Sequence, residues 1–249
     1  MKTLRPCIIY SSAEAALAER LSLRRGRLSY IADGDHLLCE KLPSGAVGDI
    51  MIVSMERAGE HIASAIYDEC RRRRYSGVFL DIDMSPDGTS QMLLDSVAEA
   101  LVQKVRRVYI PEVYSRYCTC ATPVASCAVS GGLLSEYLEQ LVSEHRNLAL
   151  SIPVMMSDFS MPSDSPAGRT LTQAELSRLQ SQFDADVYYS AQMLTNYFTY
   201  SPSQGTCRFV LFDDARSISE KIKLAKSFGI TDIFLSWREI SHIAGDIIF

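Results

Sequence analysis

The sequence predicts a (β/α)8 barrel, an α/β fold built as a single domain over residues 1–249. Three observations predict it. Apolar strand-like runs alternate with amphipathic helical ones almost throughout, the pattern of a parallel α/β fold. The length of 249 residues is close to that of one such barrel. The stretch Tyr75-Ser76-Gly77-Val78-Phe79-Leu80-Asp81-Ile82-Asp83 reads as a strand with two unlike faces. Period-two alternation puts Val78, Leu80 and Ile82 on one side and Phe79, Asp81 and Asp83 on the other. The aliphatic side suits helices packed outside a barrel. The acids would look into its mouth, where such folds carry their chemistry.

In chain order, strands are expected near 6–10, 48–54, 77–83, 107–112, 148–156, 186–192, 208–214 and 232–237. Helices are expected near 12–24, 57–73, 89–105, 131–145, 171–182, 217–227 and 239–247, with a short turn around 194–199. Eight strands, each followed by a helix or helical turn, match the barrel count. A doubly wound sheet would carry a Gly-rich phosphate loop after its first strand, whereas Tyr10-Ser11-Ser12-Ala13-Glu14 follows here. Ser130-Gly131-Gly132 reads as a helix start, and Thr172 with Glu175 has capping-box spacing. Ser217 and Glu220 read as the start of a helix that Gly229 ends. Leu28–Ile31 breaks the alternation as a possible extra strand. The Pro- and Ser-rich run 160–169 follows the fifth strand as a long loop at the mouth.

Composition narrows the function. A net charge of −5 and a pI near 5.4 argue against a nucleic-acid binder. Arg71-Arg72-Arg73-Arg74 reads as a solvated helix end complementing the helix dipole. No run approaches the length of a membrane span, and the start of the chain lacks a signal-peptide pattern. Seven scattered cysteines favour free thiols in a reducing cytoplasm. Cys118-Thr119-Cys120 with Cys127 matches no common zinc spacing and reads as small buried thiols. No cofactor and no metal site is expected.

The strand ends gather polar residues: Ser54, Asp81, Asp83, Glu112, Ser157, Asp158, Gln192, Asp213, Asp214, Trp237 and Glu239. Aromatic neighbours include Tyr10, Tyr114, Phe159, Tyr188, Tyr189 and Tyr197. Acids among rings suit a sugar, with rings stacking on pyranose faces while carboxylates bind hydroxyls and move protons. Bland readings stand beside these. One of Asp213 and Asp214 could cap the following helix, Asp158 could organise a loop, and Glu112 could be solvated. Asp81 is harder to assign to scaffold, because a carboxylate inside an apolar barrel needs a partner or a function.

The strand 75–83 resembles the signature strand of glycoside hydrolase family 18, the chitinase-like TIM barrels, whose form is aromatic-Asp-Gly-x-Asp-x-Asp-x-Glu. The segment 229–237, ending in Trp237, is similar to that family's last strand. The resemblance implies that Asp81 orients an N-acetyl group acting as nucleophile. It implies that Asp83 protonates the leaving oxygen and that Trp237 floors the sugar subsite. Glu112, Asp158, Tyr188, Gln192 and Asp213 would complete the binding surface. Ser76 and Phe79 stand where the family has aspartates, and Asp83 is one methylene shorter than the family's glutamate. The family has this strand fourth, whereas the count above makes it third unless Leu28–Ile31 is a strand. Three readings follow: a divergent glycosidase for an amino-sugar glycan, a barrel that binds such a glycan without cutting it, or a metal-dependent hydrolase or lyase using Asp81, Asp83 and Glu112. A glycan-acting barrel without an export signal would fit intracellular wall recycling or a spore-related role.

Overall fold

The computed structural model describes residues 3–15, 23–39, 49–82, 87–105, 107–129, 131–162, 168–203 and 205–249. Among them the strands are β1 (Arg5–Tyr10), β2 (Arg24–Gly34), β3 (His36–Cys39), β4 (Ile50–Ala58), β5 (Gly77–Asp81), β6 (Val108–Pro111), β7 (Thr122–Ser126), β8 (Ala149–Ser151), β9 (Met156–Met161), β10 (Arg169–Thr170), β11 (Tyr188–Ser190), β12 (Thr195–Tyr200), β13 (Cys207–Phe212) and β14 (Asp232–Ser236). The helices are α1 (Ile62–Arg73), α2 (Gly88–Val102), α3 (Leu134–Glu144), α4 (Gln173–Gln182), α5 (Ala215–Ser227) and α6 (Trp237–Ile240). The described residues pack as two compact units. One holds Met1–Ala125, His145–Ser151 and Ile230–Arg238; the other holds Ser126–Glu144, Ile152–Gly229 and Glu239–Phe249.

The first unit is the predicted barrel. Its strands run in the order β1, β14, β8, β7, β6, β5, β4, β2, and β2 pairs back with β1 to close the ring. β3 lies antiparallel on the outer stretch of β2. The membership differs from the sequence reading. Residues 186–192 and 208–214 are not barrel strands, and 148–156 splits into β8 and β9. Their places are taken by β2, of which only 28–31 was suspected, and by β7. β7 escaped notice because Pro123 lies within it, opposite Ile110, and proline demotes a strand in a sequence reading.

Alternation in β5 falls as expected. Val78, Leu80 and Ile82 join a cluster with Ile62, Ile66 and Cys70 of α1 and Leu94, Val97, Ala98 and Leu101 of α2. Phe79 packs on the inner cluster of Cys7, Ile50, Ile52, Tyr109, Val124, Ala149 and Phe234. Burying such side chains is the main stabilising term, about 1.5–3 kcal/mol for each large one. The arginine run closes α1, with Arg72 and Arg73 both donating to Glu69.

Gly77 opens β5 where no side chain fits. An added Cβ would lie 2.8 Å from Ile50 Cδ1 and 3.1 Å from the Arg107 carbonyl oxygen, which already accepts from the Val78 N–H. Gly77→Ala is therefore expected to cost about 1–3 kcal/mol through overpacking. Urea denaturation of the two proteins measures it, and an unchanged midpoint would show that the strand yields freely there.

The second unit carries a five-stranded antiparallel sheet in the order β10, β9, β13, β12, β11. Helix α4 covers one face, setting Leu176 and Leu179 on Phe198 and Val210. Thr172 caps α4 and Glu175 completes the box, as the spacing predicted. α5 begins two residues before the predicted Ser217, because Asp214 is its cap and accepts from the Ser217 N–H. Gly229, at φ 77°, ends that segment as expected.

Candidate functional site

In the barrel unit the strand rows decide which side chains reach the interior. On β4, Ile50 and Ile52 face inward while Met51, Val53 and Met55 face the helices. The inward row therefore continues to Ser54 and then to Glu56. Ser54 pairs in register with Asp81 on β5, so both lie at the C-terminal end of the barrel. On β14, Phe234 faces inward, and Trp237 follows three residues later as the first residue of α6, partly exposed. Glu56 was missed because the predicted strand stopped at 54; the alternating run Ile50, Ile52, Ser54, Glu56 carried the signal. Asp83 lies outside the described residues.

The floor beneath Asp81 is aromatic. Phe79 lies 5.7 Å from the Phe234 ring, and Tyr109 meets Phe234 edge-on at 5.1 Å. Where the resembled signature has an acid, this chain has a ring filling the lumen. Ser76 has a different role. Its hydroxyl donates to the Asp49 carbonyl at 2.7 Å and ties the start of β5 to the start of β4, far from the mouth. Of the two positions where the resembled signature has an aspartate, only Phe79 shares the inner row of β5 with Asp81.

Glu112 departs from the expected arrangement. Val108 and Ile110 of β6 belong to the helix-facing cluster and Tyr109 to the inner one. Glu112 lies just past the strand, as the first residue of a 3-10 turn over Glu112–Tyr114, and its Oε1 lies 3.5 Å from His145 Nε2. A cavity of about 560 Å³ lies between the exit of β4 and the first turns of α2, lined by Ala58, Gly59, Glu60 and His61 with Thr89, Met92, Leu93 and Ser96. Its size is in the range of small-molecule sites.

The remaining candidates fall in the second unit, on different elements. Asp158 of β9 is buried and accepts from Arg208 Nε at 2.9 Å, Tyr200 at 3.0 Å and Arg169 at 3.4 Å. It holds the sheet rather than a loop. Asp213 is fully buried beside Lys221, whose ammonium donates to both carboxylate oxygens at 2.7 Å. Ser217 and the Met155 N–H fill its other acceptor positions, leaving nothing for a sugar hydroxyl. Gln192 lies in the turn between β11 and β12, where its carbonyl accepts from the Leu134 N–H. The Glu239 carboxylate accepts from the Val154 N–H.

Tyr188 is 54% exposed and begins an aromatic row on the sheet face away from α4. Its ring lies 5.6 Å from Tyr197, which lies 5.3 Å from Phe209. Among the described residues, no helix is long and apolar enough to cross a membrane.

No family model matches the chain, and no curated protein does. Solved structures do. The spore cortex-lytic enzyme SleL of Bacillus cereus aligns at 13% identity over 94% of this chain and 70% of that one, with a TM-score of 0.64. A chitinase from Chromobacterium violaceum aligns at 14% over 94% and 93%, also at 0.64. The family GH18 chitinase of Cycas revoluta, solved with (GlcNAc)3, aligns at 11% over 96% and 97%, again at 0.64. The chain thus shares the fold of family 18 chitinases and SleL-like cortex-lytic enzymes. The likeness is one of architecture, at low identity. In this chain β5 is the fourth barrel strand, the position that the resemblance to family 18 requires.

Proposed function

We propose that the chain acts on an amino-sugar-containing glycan at the C-terminal end of its barrel, with Asp83 as proton donor and Asp81 as the acid that orients the substrate. The inward placement of Asp81 on the fourth strand of a closed barrel carries this reading. Trp237 supplies a stacking face, and the cavity beside the exit of β4 supplies room for a sugar. The aromatic row of Tyr188, Tyr197 and Phe209 offers further surfaces of the kind that pyranose rings pack against. The solved relatives support the choice of ligand, since the Cycas revoluta chitinase was crystallised with (GlcNAc)3.

One observation favours binding without cleavage. Phe79 stands where the resembled signature has a carboxylate that would share charge with Asp81, and an aspartate in place of the signature's glutamate is one methylene shorter, a difference of about an ångström in reach that can cost about a hundredfold in rate. Chitooligosaccharides and peptidoglycan fragments separate the two readings. The expected result is a ligand-dependent rise in melting temperature with slow release of reducing ends, the latter lost in Asp83→Asn. Melting shifts without any product would leave binding alone. Neither shift nor product with either glycan would sink both.

A further inference from the structure

The loop leaving β6 brings together two thiols and a carboxylate that the sequence keeps apart. After Glu112 the chain turns back, the Tyr117 and Cys118 N–H groups both donating to the Tyr114 carbonyl at 3.0 Å. This turn seats Cys118, 1% exposed, against the helix-facing core and leaves Cys120 at the surface. The two sulfurs lie 3.8 Å apart. A carboxylate oxygen of Asp95, on α2, lies within 4.8 Å of both. Glu99 stands one turn further along α2 and is exposed.

Two geometric points select among the uses of such a cluster. Two zinc–sulfur bonds of about 2.3 Å at a tetrahedral angle hold their sulfurs about 3.8 Å apart, so the thiols already stand at the spacing of two ligands on one ion. The cluster also straddles the surface, with Cys118 buried and Cys120 exposed, so an ion between them is partly sheltered yet reachable. We propose that Asp95, Cys118 and Cys120 form a binding site for a thiophilic divalent cation of the zinc type, with the fourth position taken by water or Glu99. Two sulfurs with one oxygen select zinc over magnesium or calcium, which take oxygen ligands. The ion pins the loop after β6 to α2, and the exposed Cys120 gives it a way in. Cysteine ligands must shed their protons to bind, so ion binding releases protons and weakens as pH falls.

The test uses the full chain, reduced and freed of metal by chelation, with the other exposed cysteines removed as Cys39→Ser and Cys207→Ser. Titration with cobalt(II) is expected to give one equivalent of a species with thiolate-to-cobalt charge transfer and tetrahedral d–d bands, displaced by zinc. Zinc is also expected to raise the melting temperature. Cys120→Ser should weaken binding by at least about tenfold and abolish the zinc-dependent melting shift. Asp95→Asn, which leaves both sulfurs in place, should weaken binding in the same direction. Circular dichroism confirms that each variant is folded. The proposal is overturned by the absence of a stoichiometric cobalt species in the reduced parent. It is also overturned by unchanged affinity in both variants, or by metal uptake that persists when Cys120 is gone.

Discussion

Lys221→Met is expected to destabilise the protein by about 3–5 kcal/mol, the cost of breaking a buried pair from one side. The Lys221 and Asp213 side chains are 1% and 0% exposed, so water cannot replace the lost partner. After the change, Asp213 keeps only Ser217 and the Met155 N–H as donors, both neutral, for a full negative charge. Asp213 also joins the exit of β13 to the segment before β9, because its own N–H donates to the Met155 carbonyl. The loss should therefore loosen that junction as well as lower stability. Adding Asp213→Asn to the same variant removes the stranded charge, keeps an oxygen to accept from the Met155 N–H and sets an amide NH2 to donate to the Ser217 hydroxyl, and most of the stability should return. Urea midpoints of the parent, single and double variants read all three values. A single-variant loss below about 1 kcal/mol, the range of exposed pairs, would show that the pair is hydrated in solution.

Asp232→Asn is expected to cost about 2–3 kcal/mol while leaving any glycan response unchanged. Asp232 opens β14 and accepts from Arg5 at 2.7 Å, Arg24 at 2.9 Å and Arg107 at 3.1 Å. These arginines begin β1 and β2 or precede β6, so the cluster plugs the N-terminal end of the barrel, the end that stabilises rather than reacts. Asparagine keeps the shape and removes the charge that holds three cations together. Their partial exposure tempers the cost. High salt, which screens the repulsion among them, should shrink the difference. A large change in chitooligosaccharide binding would contradict this separation of the two ends.

The fold was legible where one physical rule dominates. β5 alternates strictly, so its helix-facing and inner rows could be assigned from Val78, Leu80 and Phe79 alone. β2 was obscured by Arg24, Arg25 and Arg27 around Gly26, whose missing side chain makes room for Cys7, Ile9 and Ile52 at 3.2–3.3 Å. The second unit was taken into the barrel because periodicity does not tell a parallel strand from an antiparallel one. Thr195-Asn196-Tyr197-Phe198-Thr199-Tyr200, read as a turn, is itself an alternating strand of that sheet.

The place of Asp81 on β5, in register with Ser54, was legible from alternation, and the surroundings of the other candidates were less so. Glu112 lies past the end of β6, in a 3-10 turn where strand alternation gives no direction. Asp158 and Asp213 were taken for ligand groups because their basic partners, Arg208 and Lys221, lie on other elements or one helix further on. Asp95 could not be associated with Cys118 and Cys120, since only the packing of α2 against the loop after β6 joins them.

Closure of the ring through β1 and β14 also shapes how the protein is made. The Arg5–Asp232 bond spans 227 positions, and β8 meets β14 only after the entire antiparallel sheet has been synthesised. On the ribosome, β1 and β8 must wait as open edges, exposed to mispairing and aggregation. A nascent chain halted before residue 230 is therefore expected to depend on chaperones, whereas one released past β14 can seal its seam unaided.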